Sequence, residues 1–104
     1  MIMANDICAR AVHPGELLKE EVEFRNISQR TLSKNMGMSY NMLNDILNGR
    51  RTLTTQSAML FEAALGISAE LLMRLQLDYN LQTAKQDRSL AKRLASIKKI
   101  AATL

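Results

Sequence analysis

Three times between residues 28 and 66 the chain repeats one local pattern: a Ser or Thr, an unbroken run of eight to eleven residues, and a glycine. A Ser or Thr oxygen accepts a hydrogen bond from the free N–H groups of a first helical turn, and glycine takes the positive φ with which many helices end. Each unit therefore reads as a complete helix with its own start and stop. Ser28 begins a helix over Gln29–Met36 that Gly37 ends. Ser39 begins one over residues 40–48 that Gly49 ends, and Thr54 or Thr55 begins one that Gly66 ends. The connections between them are only a few residues long, which a bundle of antiparallel and crossing helices requires.

The same signals extend the pattern in both directions. Pro14, Gly15 and Glu16 open an earlier helix, with Glu16, Glu20 and Glu21 favouring its positive end. Its apolar positions are Leu17, Leu18, Val22 and Phe24, and Arg25 and Asn26 break it. Ser68 caps a fifth helix from Ala69 to about residue 83, with Glu70 in the first turn. Aromatic residues make up only 4% of the chain and Trp is missing, so Leu, Ile, Met and Ala must build the core. Those are helix formers, and no period-2 strand signal, internal repeat or low-complexity segment competes with them. The expectation is an all-α fold.

Several function classes fall away. The one cysteine, Cys8, has no partner for an intrachain disulfide and is assigned to an N-terminal arm over residues 1–12. The opening MIMANDICARAV lacks the apolar run of a signal peptide, and no stretch approaches the roughly 18 apolar residues of a membrane span. The expected location is the cytoplasm, without membrane association. One His and one Cys cannot make the common zinc sites, and no nucleophile–base, paired-carboxylate or phosphate-loop arrangement is present. His13 reads as a residue at the start of a helix. No catalytic residue, metal or cofactor is expected, and the chain is not read as an enzyme.

The formal charge of +4 is unevenly spread. Residues 13–80 carry seven basic and eight acidic side chains, a net −1; residues 81–104 carry six basic and one acidic, a net +5. If the body binds a polyanion, its cations must be grouped locally.

Residues 29–47 say how the helices meet. Leu32, Met36, Met38, Leu43 and Ile46 form an apolar set, Ser33 is small, and Gly37 sits between two helices. A small residue lets steeply crossing helices approach, glycine supplies the tight turn, and the apolar set fixes both helices to one core. The second helix of the pair then turns Tyr40, Asn41, Asn44 and Asp45 outward, a more continuous polar side than a core helix needs.

Residues 28–53, SQRTLSKNMGMSYNMLNDILNGRRTL, resemble the helix-turn-helix of the phage-repressor class, the Cro/cI or Xre type. The likeness continues through TTQSAMLFEAALGISAELLMRLQLDY, and the HPGELLKEEV opening with the Asn-Gly-Arg-Arg stop is similar to HigA-type antitoxins, also called plasmid-maintenance antidote proteins. The resemblance covers roughly residues 13–80. It implies a five-helix repressor-like domain over residues 13–84, with the helix-turn-helix at 29–48 and an added helix over 85–104.

In that class the third helix enters the major groove of double-stranded operator DNA. The resemblance thus assigns Ser39, Tyr40, Asn41, Asn44 and Asp45 to base reading. Asn pairs well with adenine, and Asp45 accepts from cytosine N4 and serves selectivity more than affinity. Gln29 is placed to fix a phosphate at a helix N-terminus. Arg30, Lys34, Asn48, Arg50 and Arg51 supply further phosphate contacts, while the acidic first helix faces away from the groove. The implied function is an antitoxin that acts as a homodimer, represses its own operon and neutralises a HigB/RelE-like mRNA-cleaving toxin. A free-standing phage-type repressor and a protein-interaction module without DNA binding are the alternatives.

The tail carries a second pattern. Leu90, Leu94, Ile97, Ala101 and Leu104 recur at alternating spacings of four and three, one apolar stripe on a helix, with the cations largely off it. A stripe of that length should not stay bare. It packs on the domain, pairs with a second subunit or docks on a partner; its basic side could also touch DNA phosphates or a membrane surface.

Overall fold

A side-chain acceptor closes the first turn of every helix among the residues 11–104 that the computed structural model describes. Cys8 and most of the predicted arm lie outside those residues. The helices are α1 (Pro14–Phe24), α2 (Gln29–Met36), α3 (Tyr40–Leu47), α4 (Thr55–Leu65), α5 (Ala69–Lys85) and α6 (Arg88–Ala101). Their caps are His13, Ser28, Ser39, Thr54, Ser68 and Asp87 in that order. Thr54 rather than Thr55 starts α4, its Oγ1 accepting from the Ser57 N–H at 3.2 Å. No strand is present among the described residues, so the fold is all-α: five helices of a phage-repressor-like domain with one more at the C-terminal end.

The core is a single cluster. Leu18 and Val22 of α1 meet Leu32 and Met36 of α2, Leu43, Ile46 and Leu47 of α3, Phe61 and Leu65 of α4, and Leu72 of α5. Phe61 is fully buried and is the largest of them. Ser33 is buried too, its hydroxyl donating to the Arg30 carbonyl at 3.0 Å, so a small polar side chain sits at the α2–α3 crossing without an unmet hydrogen bond.

One close approach goes beyond what the caps foretell. A Cβ on Gly15 would stand 2.0 Å from the Ile46 carbonyl oxygen, so only glycine lets the start of α1 lie against the backbone of α3.

Five sequence expectations change, the first being the start of the last helix, which is Arg88 behind the Asp87 cap and not residue 85, because Lys85 still belongs to α5. Phe24 is 87% exposed instead of facing the core. It lies two residues past Val22, about 200° around the helix from the buried stripe. α3 ends at Leu47, with Asn48 as its C-cap, and α5 continues to Lys85, two residues past the expected end. Leu104 lies beyond α6 and is wholly exposed, because the chain turns after Ala101 and the N–H groups of Thr103 and Leu104 bond back to Ile100 and Ala101.

Residue burial separates α6 from the rest. It buries no residue, and Leu94, Ile97 and Ile100 are each more than half exposed. No helix among the described residues is long and apolar enough to cross a membrane.

Candidate nucleic-acid interface

The α2–α3 pair is set by its turn. Gly37 adopts φ 66°, and the Met38 N–H donates to the Ser33 carbonyl at 2.9 Å. That left-handed residue reverses the chain within three positions and leaves Ser39 free to cap α3, its Oγ accepting from Met42 N–H at 3.1 Å. Ser39 therefore serves the helix start, and its hydroxyl hydrogen remains available to an outside acceptor.

Of the residues expected on the outward side of α3, Tyr40 and Asn41 are exposed, and Asn44 and Asp45 are half-buried. The difference follows from their partners. Asn44 donates through Nδ2 to Gln29 Oε1 at 3.1 Å and accepts at Oδ1 from Arg50 Nη2 at 2.8 Å. Asp45 accepts from Arg50 Nε at 3.2 Å through one oxygen and holds Arg51 Nη2 at 3.6 Å with the other. Gln29, Asn44, Asp45, Arg50 and Arg51 thus form one polar network from the start of α2 to the loop after α3. Asn41 stands outside it, its amide unengaged by any described residue. Lys34 is likewise exposed and outside the network. The Arg30 guanidinium lies 5.2 Å from the Tyr40 ring centre, a cation–π contact that fixes a charge beside the first residue of α3.

Asn48 bridges in another direction. Its Nδ2 donates to the Asn44 carbonyl at 2.8 Å, and its Oδ1 accepts from Lys19 Nζ of α1 at 3.1 Å. Lys19 is a cation at this edge that sequence reading did not assign. Glu16, Glu20 and Glu23 of α1 line an open recess of about 560 Å³ that reaches Asn48 and Gly49, so the acidic side of α1 borders the end of α3.

Two buried polar residues hold the loop that carries the arginines. Gln76 of α5 accepts from the Leu53 N–H at 2.8 Å and donates to Asn80 at 2.9 Å, which ties the loop's far end to α5. At its near end stands His13. The ring accepts from Gly15 N–H at 2.9 Å, packs edge-on against Tyr79 at 5.0 Å, and lies beside the Arg51 backbone. Burial pushes the imidazole pKa below its usual 6.5, against the opposing influences of the Arg51 backbone and Glu16. The positioning roles of Gln76 and His13 were missed in the sequence. The one available signal for Gln76 was a polar residue four positions after Leu72, on a buried helical stripe.

The outcome is a helix with one outward face, an unengaged amide near its N-terminus, and two arginines braced just past its C-terminus. The chain matches the helix-turn-helix family over residues 18–72. It is 32% identical over 79 residues to a curated relative, virulence-associated protein I of Dichelobacter nodosus, covering 75% of this chain and 73% of the relative. Among solved structures it is similar to an addiction module antidote protein of the HigA family from Coxiella burnetii, at 33% identity and a TM-score of 0.70, over 86% of this chain and 94% of that one. It is also similar to the Pseudomonas aeruginosa antitoxin HigA solved with the higBA promoter, at 29% identity and a TM-score of 0.68, over 91% and 96% of the two chains.

Proposed function

We infer the function of this protein from one premise: the chain belongs to the helix-turn-helix family, in its HigA-type antidote branch. We propose that it is the antitoxin of a toxin–antitoxin module, binds operator DNA in the cytoplasm as a homodimer, represses its own operon and neutralises a HigB/RelE-like mRNA-cleaving toxin. The observation that carries the DNA half is the pairing of an exposed, unengaged Asn41 on α3 with Arg50 and Arg51 immediately after that helix. An amide at that position suits bidentate pairing with adenine in the major groove, and the arginines suit the flanking phosphates. The Pseudomonas aeruginosa relative solved with its promoter supports the same reading.

A single helix-turn-helix covers too little DNA for tight specificity, so two copies read half-sites about 34 Å apart on a near-palindromic operator. The division of labour we assign is a DNA-binding unit over residues 13–84 and a partner helix over 85–104. The exposed Leu94, Ile97 and Ile100 of α6 serve the second copy or the toxin.

The test has two arms. Footprinting of the DNA upstream of the chain's own gene should show a protected two-fold site, and co-expression with the neighbouring reading frame should yield a co-purifying complex that relieves growth arrest. A protected site without a complex reduces the protein to a free-standing repressor. Neither result leaves nothing of the proposal.

A further inference from the structure

Asp45 is poorly placed if its task is only to stabilise α3. It lies in the last turn, where the negative end of the helix macrodipole opposes a carboxylate and favours cations. It also stands on the side of α3 assigned to a polyanion. Yet it is the charge that ties both arginines of the site. One oxygen takes Arg50 Nε at 3.2 Å, the other takes Arg51 Nη2 at 3.6 Å, and its backbone carbonyl accepts the Arg50 N–H at 2.8 Å. Arg50 is held a further time by Asn44 Oδ1 at 2.8 Å, and Asn44 in turn by Gln29. The two arginines are therefore oriented by a carboxylate that competes with DNA phosphate for them.

We propose that Asp45 is a specificity-determining residue that lowers affinity for non-cognate DNA more than for the operator; this rests on the operator-binding reading above. The physical reason lies in what faces the carboxylate in each complex. On random duplex the arginines turn to phosphates and Asp45 is left beside the backbone with no proton donor, a like-charge juxtaposition that weakens the complex. On the operator a major-groove amino group, cytosine N4 or adenine N6, stands opposite Asp45 and satisfies it. In the free protein Asp45 cancels one of the two arginine charges, so the site presents a net +1 rather than +2 to a passing duplex.

The test is the Asp45→Asn variant of the full chain, with Asp45→Glu as the charge-preserving control. Affinities for the operator and for a random duplex of equal length are measured across a salt series. Asp45→Asn should bind random duplex ~3–10-fold more tightly, with a log–log salt slope steeper by up to about one unit, because one more phosphate contact is released from internal competition. Operator affinity should stay level or fall, so the ratio of the two affinities drops. Asp45→Glu should keep the wild-type salt slope. An equal gain on both duplexes makes Asp45 a plain charge and overturns the inference. An equal loss on both makes it a structural brace and overturns it as well. Absence of salt-sensitive duplex binding by the wild-type chain overturns the operator-binding reading together with this inference, so the two failures are distinct.

Discussion

The helix-turn-helix body and the C-terminal helix place their apolar residues in opposite ways. Through α5 one set of apolar residues converges on a core: Leu18, Leu43, Ile46, Phe61 and Leu72 are each buried completely. That region is also near charge balance, with Arg25 paired to Glu21 on α1, Arg50 and Arg51 to Asp45 of α3, and Arg74 to Glu70 on α5. In α6 the apolar residues align but do not converge on anything, and five cations, Arg88, Lys92, Arg93, Lys98 and Lys99, accompany them with only the capping Asp87 in opposition. A 14-residue helix is marginal alone in water, so α6 gains its stability from what it touches, whereas the body carries its own. On the function proposed above, the body is the reading unit and α6 the assembly element.

The largest contrast between the two regions should appear in unfolding. Phe61→Ala removes the largest core side chain and should cost about 3–5 kcal/mol in urea denaturation. Leu94→Ala, at protein concentrations below the association midpoint, should change stability by less than about 0.5 kcal/mol. A substantial loss from Leu94→Ala in the monomer would mean that α6 belongs to the body.

Assembly should reverse that ranking. Replacing Leu94 and Ile97 together by Asp should weaken self-association or toxin binding ~10–100-fold, and deleting residues 88–104 should do the same, with the helical signal of the body intact. Light scattering and titration with the co-expressed toxin read this out. Unchanged association in both variants would make the α6 stripe idle.

Within the body, Gln76→Leu should cost about 1–3 kcal/mol, because the Leu53 N–H is left buried without an acceptor. The loss should be accompanied by weaker DNA binding, since the same bond anchors the loop that carries Arg50 and Arg51. Stability and DNA affinity both unchanged would remove α5 from the positioning of the loop.

The smallest expected effect is one of pH. His13 caps α1 through an unprotonated Nδ1, and burial lowers its pKa below 6.5, so the unfolded chain takes up the proton first as pH falls. The stability that neutral His13 contributes is complete above about pH 6.5 and is lost as pH drops through the folded value. Thermal melts between about pH 7.5 and 5 should show that decline, and His13→Asn, which keeps a capping acceptor but does not titrate, should flatten it. An unaltered slope in His13→Asn would assign the decline to other groups.

What was legible in the sequence were the features written locally. Ser28, Ser39 and Ser68 act on residues three positions ahead, and Gly37 and Gly66 act at their own positions, so the limits of α2 to α5 came out within a residue or two. Periodicity placed Leu32, Met36, Leu43 and Ile46 in the core, but it misplaced Phe24 at a helix end, where one residue of register decides the facing. Contacts across the fold were not written in any window. Gly15 against the Ile46 carbonyl, Gln76 beneath Leu53 and Lys19 on Asn48 each join residues more than twenty positions apart. The residue types expected at the DNA face were visible, but their bonding was not. That Asn44 and Asp45 are tied to Gln29, Arg50 and Arg51 while Asn41 is left unengaged emerged only when α2, α3 and the loop were brought together.

That difference between an unengaged Asn41 and a braced Arg51 bears most directly on whether this face reads DNA sequence. The decisive measurement is the affinity of wild type, Asn41→Ala and Arg51→Ala for the operator and for a random duplex over a salt series. Asn41→Ala should lose about 1–3 kcal/mol on the operator and nothing on random DNA. Arg51→Ala should weaken both alike and shallow the salt slope by about one unit. A uniform loss from Asn41→Ala, or a sequence-selective loss from Arg51→Ala, would contradict the assignment of reading to α3 and holding to the loop that follows it.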